Sequence, residues 1–185
     1  MDIELKTDFR IDDELSMRAW REDDVDAALD IVMRNREHLH TFMQWMTPEY
    51  SIESAQKFIT DGIASRLERK TLGLALFRGD KLIGSVGYSF DWPVRKTEIG
   101  YWIDKDEERR GIITRACRMM IDYAFDELQL NRVEIRCSTE NRRSAAVPER
   151  LGFRKEGVIR QSEILNGKLH DFNIYGLLAE DPRLW

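Results

Sequence analysis

Two cysteines in 185 residues, Cys117 and Cys137, leave no disulfide framework and no thiolate metal site by spacing. Both are expected as free, buried thiols of a reducing, cytoplasmic setting, and neither reads as a nucleophile. Histidine is as scarce, at three. His38 and His40 stand two apart and would diverge on a helix, so no metal site is expected. No apolar run approaches the roughly 20 residues that span a bilayer. The opening MDIELKTDFR is acidic and polar, unlike a signal peptide. Excess positive charge is missing too. The net charge of −5 argues against a general nucleic-acid binder and fits a cationic acceptor such as a protonated amine. Repeats, linkers and low-complexity segments are absent. With 42% hydrophobic and 34% charged residues, the chain reads as one globular domain over residues 1–185, with no membrane partner.

What is present is a mixed pattern of strands and helices. Asp2 to Trp20 reads as a first strand, with Leu15, Met17 and Ala19 on one alternating face. Glu22 to Arg36 has helical apolar spacing. Glu37 to Tyr50 gathers two histidines, Phe42, Met43, Trp45, Met46 and Tyr50 around a proline. It reads as core by composition, and equally as the lip of an acceptor site by the resemblance that follows. Ser51 caps a helix over Ser51 to Arg69. Leu72–Arg78 and Lys81–Phe90 form a hairpin through Arg78-Gly79-Asp80. Asn131–Ser138 is a strand, and Asn141–Leu151 a helix closed by Gly152. Val158–Leu165 and Leu169–Leu178 pair across Asn166-Gly167, a strong hairpin signal.

The most informative stretch is Thr97 to Asp126. Ile99, Tyr101 and Ile103 alternate with Glu98, Gly100 and Trp102, which is strand periodicity. From Ile112 the apolar residues take helical spacing. Between the two lies Asp106-Glu107-Glu108-Arg109-Arg110-Gly111, with Arg115 and Arg118 following. A strand that turns through glycine into a helix N-terminus presents unpaired N–H groups and partial positive charge, which suits phosphate. Five basic residues against three acidic ones between Lys105 and Arg118 make a basic island on an acidic chain. Neither a Gly-Lys-Ser/Thr loop nor G-x-G-x-x-G is present.

EIGYWID followed by RGIITRA resembles the acetyl-CoA-binding core of the GNAT acetyltransferases. More narrowly it resembles the RimJ/RimL branch, which acetylates N-termini of ribosomal proteins. The resemblance runs from about Leu15 to Leu178. It implies an α/β (α+β) fold, a single mixed and mostly antiparallel sheet whose central parallel strand pair splays apart, flanked by helices. It implies acetyl-CoA as cofactor, transfer to an amine, a peptide or protein N-terminus as partner, and a possible homodimer. A small amine such as a polyamine or antibiotic is the alternative acceptor, and a catalytically weak binding module the alternative to an enzyme.

The resemblance also assigns residues. The pyrophosphate motif Q/R-x-x-G-x-G/A falls on Asp106, Arg109 and Gly111, and only the last glycine is kept. The implied cofactor ligands are Arg109, Arg110, Gly111, Ile112, Ile113 and Thr114 at the turn, with Trp102, Ile103 and Asp104 on the strand. Asn141 and Ser144 meet the pantetheine arm. A backbone N–H of Ile103 or Trp102 polarises the acetyl oxygen. Glu163, in RQSEILNG, is the first candidate base and Glu98 the second. The family's usual tyrosine acid falls on Pro148, so Ser144 is the candidate proton donor to the leaving thiolate. Arg109, in place of a glycine, is expected to strain the turn if φ is positive there. Tyr175 and His170 are possible acceptor-pocket residues.

Overall fold

The computed structural model describes residues 4–185. Eight strands form one sheet in the order β1-β2-β3-β4-β5-β6-β8-β7. They are β1 (Asp8–Arg10), β2 (Leu15–Ala19), β3 (Thr71–Arg78), β4 (Lys81–Asp91), β5 (Lys96–Ile103), β6 (Arg132–Ser138), β7 (Arg154–Leu165) and β8 (Lys168–Leu178). All neighbours are antiparallel except β5 and β6. Five helices flank the sheet: α1 (Val25–Arg34), α2 (Arg36–His40), α3 (Ile52–Leu67), α4 (Ile112–Asp122) and α5 (Arg142–Arg150).

The chain start differs from its expected form. Residues 2 and 3 of the anticipated first strand lie outside the described residues. The rest forms two short strands, because Asp12 Oδ1 accepts from the N–H groups of Glu14 and Leu15 and closes a hairpin. The Glu22–Arg36 helix divides into a 3-10 turn at Glu22–Asp24, α1 and, after Asn35, α2. Met46 from the following segment is buried core, while Trp45 is exposed and packs on Tyr50 and Trp102. That segment therefore holds both core and exposed aromatic residues. The Ser51 cap is present, with its backbone N–H donating to Ser54 Oγ at 3.3 Å. The Asn166-Gly167 turn has φ of 52° and 74° at its two residues, the left-handed pair a two-residue hairpin needs. β7 begins four residues earlier than its hydrophobic alternation suggested, at Arg154.

Pairing puts Leu74, Val86 and Tyr101 on one face of the sheet and Ala75, Ser85 and Trp102 on the other. The first face packs on α4 and α5 through Ile99, Val133, Ile135, Ala116, Met120 and Leu151. The second packs on α1 and α3 through Trp20, Ala28, Ile59 and Ala75. β5 and β6 are joined through α4, so they must run parallel. They pair only at Lys96–Arg132, Thr97–Val133 and Glu98–Glu134, and beyond those residues the strands part. The splay opens the sheet at its centre and positions the site.

Candidate active site

A cleft of about 1110 Å³ lies at the end of β5 beside the splay, mostly on the α4 and α5 face but reaching Trp102 and α2 on the other. Its walls are the end of β5, the turn into α4, the N-terminal part of α5 and residues 38–43. The turn carries two residues at positive φ, Arg109 at 63° and Gly111 at 70°, with Arg110, whose φ is not positive, between them. Such alternation curls successive N–H groups into a concave nest. Gly111 is the N-cap of α4 and has no side chain to satisfy the first-turn donors. Those donors therefore face the cleft, with the partial positive charge of the helix behind them. The Arg109 side chain makes no hydrogen bond or ion pair among the described residues and also lines the cleft. A polyanion fits here on donor chemistry alone.

The expected residues from Arg109 to Thr114 line this cleft, as do Trp102, Ile103, Asn141 and Ser144. Asp104 does not. Its carboxylate is 2% exposed and pairs with Arg34 Nη2 at 2.9 Å, and its backbone N–H donates to Ile83 O at 2.7 Å. Burial would raise its pKa, but the Asp106 N–H and the charges of Arg34 and Lys81 more than reverse this and hold it low. Asp104 braces the turn from behind. Arg118 also leaves the basic ring assigned to it, since its guanidinium lies 5.7 Å from the Trp185 ring. Arg115 lines the cleft while pairing with Asp12 at 2.5 Å.

The Ile83–Asp104 bond also fixes which β5 donors are free. N–H groups alternate sides along a strand. That of Trp102 shares the side of Asp104 and is committed to β4. That of Ile103 points into the splay. Of the two candidate donors to an acetyl oxygen, the geometry leaves Ile103.

At the foot of the cleft, Asn141 Oδ1 accepts from the Ser144 N–H at 3.0 Å and caps α5. The Tyr101 hydroxyl lies 3.0 Å from Ser144 O and 3.1 Å from Ser144 Oγ. Pro148 explains this contact. It stands four residues after Ser144 inside α5 and has no N–H, so the Ser144 carbonyl lacks its helical donor. The Tyr101 phenol donates instead. Burial holds that phenol well above its usual pKa, and it stays protonated. Tyr101 was absent from the sequence assignment. Its signal was the proline, whose missing donor orphans a carbonyl one turn back. Glu108 was missed as well. It bridges the cleft mouth between His38 Nε2 at 3.3 Å and Arg143 Nη1 at 2.5 Å.

Glu98 and Glu163 are not on this side. Glu98 alternates onto the opposite face, at the last paired residue before the splay. Its Oε2 is 3.3 Å from Arg136 Nε. Burial pushes its pKa up, Arg136 opposes that, and Glu134 and Glu163 add to it. Glu163 reaches this neighbourhood from β7, opposite His170 and beside a bulge between Ile159 and Glu163. The splay thus separates a cationic cleft from a carboxylate-lined face. Tyr175 is core, 1% exposed and bonded to Glu149 at 3.0 Å, and His170 Nδ1 lies 3.6 Å from Glu140.

The family profile described as the acetyltransferase (GNAT) domain matches residues 14–154. The chain belongs to the GNAT acetyltransferase family. It is 33% identical over 174 residues to the putative ribosomal N-acetyltransferase YdaF of Bacillus subtilis (strain 168), covering 93% of this chain and 95% of the relative. It is 28% identical over 172 residues to the ribosomal-protein-serine acetyltransferase of Escherichia coli (strain K12), covering 92% and 96%. Among solved structures, the ribosomal-protein α-N-acetyltransferase RimL in complex with coenzyme A superposes with a TM-score of 0.87 at 26% identity, covering 92% of this chain and 97% of that one. This GNAT enzyme is an acetyl-CoA-dependent N-acetyltransferase, and the nest above α4 is the feature of its own structure that suits the cofactor's phosphates.

Proposed function

We propose that the enzyme acetylates the N-terminal α-amine of a protein, with Ser or Ala as first residue and a ribosomal protein as the acceptor class. The observation that carries this reading is the division of the splay. Cofactor-type donors stand on one side of it and amine-type carboxylates on the other. The likeness over nearly full length to ribosomal-protein acetyltransferases supports the same acceptor.

Bound acetyl-CoA would supply a thioester carbonyl. The Arg109–Thr114 nest and Arg109 would hold its phosphates, and Asn141 its pantetheine arm. The Ile103 N–H would polarise the carbonyl oxygen from the splay, as a preorganised dipole. The attacking amine must shed a proton. Its free pKa is about 8, so a carboxylate raised by burial is a sufficient base. Glu98 stands at the edge of the gap with such a raised pKa, and Glu163 is the second carboxylate within its electrostatic reach. The departing sulfur must gain a proton. Ser144 Oγ lines the cleft and would pass it a proton while taking one from solvent, so that no alkoxide is left, steadied by the Tyr101 hydroxyl 3.1 Å away.

The test mixes protein and acetyl-CoA with short peptides that differ only at residue one, beside spermidine. Thiol release is followed and the products are weighed. One acetyl group on the α-amine of Ser or Ala peptides is the expected result. Turnover of spermidine alone would refute the peptide reading.

A further inference from the structure

Three glycines stand in register across the acceptor face. Gly73 pairs with Gly87, and Gly87 pairs with Gly100. Directly paired residues share a face, so the row is a trough without side chains. The neighbouring rows, Ala75-Ser85-Trp102 on one side and Thr71-Ser89-Glu98 on the other, stand about 7 Å away along the strands. One end is closed. Trp20 Cδ1 lies 3.4 Å from where a Cβ on Gly73 would stand, and Trp20 Nε1 is anchored on Ser85 Oγ at 3.3 Å. The other end opens over Gly100, beside the splay, where no atom lies within 4 Å of an added Cβ.

The fold explains two of these glycines and not the third. A Cβ on Gly87 would stand 2.8 Å from Leu72 O, so the backbone crowds it out. Gly73 lies under Trp20. Gly100 has neither a close neighbour nor a positive φ. Glycine weakens a strand interior, and where no neighbour forces it, close approach by a ligand is the remaining physical reason.

We infer that the trough over Gly100 and Gly87 is the pocket for the side chain of the acceptor's first residue, and that Gly100 sets its size limit. This rests on the peptide reading above and names what selects the peptide. The α-amine would lie at the splay, next to Glu98 on the same strand face. The first side chain would turn into the trough, with Trp102 as one wall and Trp20 as its end. Two inter-strand spacings, about 10 Å, separate Gly100 from Gly73, and the closed end leaves no exit for a continuing chain. The trough therefore suits a short side chain and not the peptide backbone.

The test is Gly100→Ala and Gly100→Val, assayed with Gly-, Ala-, Ser- and Thr-first peptides. Open space at this position lets both variants fold, which thermal unfolding checks. Affinity for coenzyme A should be unchanged. Gly100→Val should lower kcat/KM for Ser-first peptide by at least about tenfold relative to Gly-first peptide, the scale on which a pocket senses one or two carbon atoms. Gly100→Ala should fall between. An unchanged peptide ranking in Gly100→Val overturns the pocket alone. So does an equal loss with every peptide, which would place the effect on the amine rather than the side chain. A wild type that accepts no peptide removes the peptide reading, and the pocket with it.

Discussion

Arg109 sits at φ 63°, in a region where a Cβ costs about 1–2 kcal/mol. Two substitutions separate its backbone from its charge. Arg109→Ala removes the guanidinium and keeps the strain. Arg109→Gly removes both, but gives back about 0.5–1 kcal/mol through the greater freedom of glycine in the unfolded chain. The glycine variant should therefore be more stable than the alanine variant by roughly 0.5–1 kcal/mol. For a chain of this length that is a Tm difference of about 1–4 °C. The side chain is exposed and unpaired among the described residues, so its loss should not destabilise the fold. Coenzyme A affinity reads the charge. An exposed cation against phosphate is worth about 0.2–1 kcal/mol, so both variants should bind coenzyme A up to about fivefold more weakly, and equally so. Differential scanning calorimetry and isothermal titration provide the two readouts. A glycine variant less stable than the alanine variant by about 0.5–1 kcal/mol, the unfolded-chain term alone, would show that Arg109 carries no backbone strain. A loss well beyond tenfold in both variants would show that Arg109, and not the backbone nest, holds the phosphates.

Ser144→Ala should lower kcat by about 100-fold or more with coenzyme A affinity retained, as expected for loss of a positioned proton donor, and steady-state kinetics beside titration checks it. Tyr101→Phe leaves the Ser144 carbonyl without a donor and should lower Tm by about 2–8 °C, corresponding to about 1–2 kcal/mol, with a smaller kcat loss than Ser144→Ala. Glu98→Gln should flatten the acid limb of the kcat/KM profile, because a base with a raised pKa must lose its proton before it works; an unaltered limb moves the role to Glu163. Glu134 tests the fold itself. Burial would raise its pKa, but hydrogen bonds from Arg132 and Arg136 and the charge of Lys96 bring it below its ordinary 4.5. Its stabilisation is therefore complete above that value and is lost as pH falls through the depressed one. Glu134→Gln should cost roughly 2–3 kcal/mol at neutral pH, discounted for partly exposed partners, and little in strong acid, as denaturant titrations at both pH values would show.

The local parts of this protein were determined by short-range sequence. The strand at Thr97, the Gly111 start of α4, the Ser51 and Asn141 caps and the Asn166-Gly167 hairpin follow from backbone sterics and nearest-neighbour hydrogen bonds. These act over a few residues, so a few residues specify them. The crossover through α4 likewise required β5 and β6 to be parallel. Which strands meet beyond the hairpins and the crossover was not legible. No local pattern places β8 between β6 and β7, or ends the β5–β6 ladder at Glu98, because both depend on strands far apart in the chain. From that ladder come the remaining decisions. They send the Ile103 N–H into the gap and the Trp102 N–H into β4. They set Glu98 and Ser144 on opposite sides, put the Tyr101 phenol on the carbonyl that Pro148 leaves without a donor, and align Gly73, Gly87 and Gly100 into one trough. A residue type fixes what chemistry a side chain can do. Register and alternation, which are properties of the whole sheet, decide which other groups it meets.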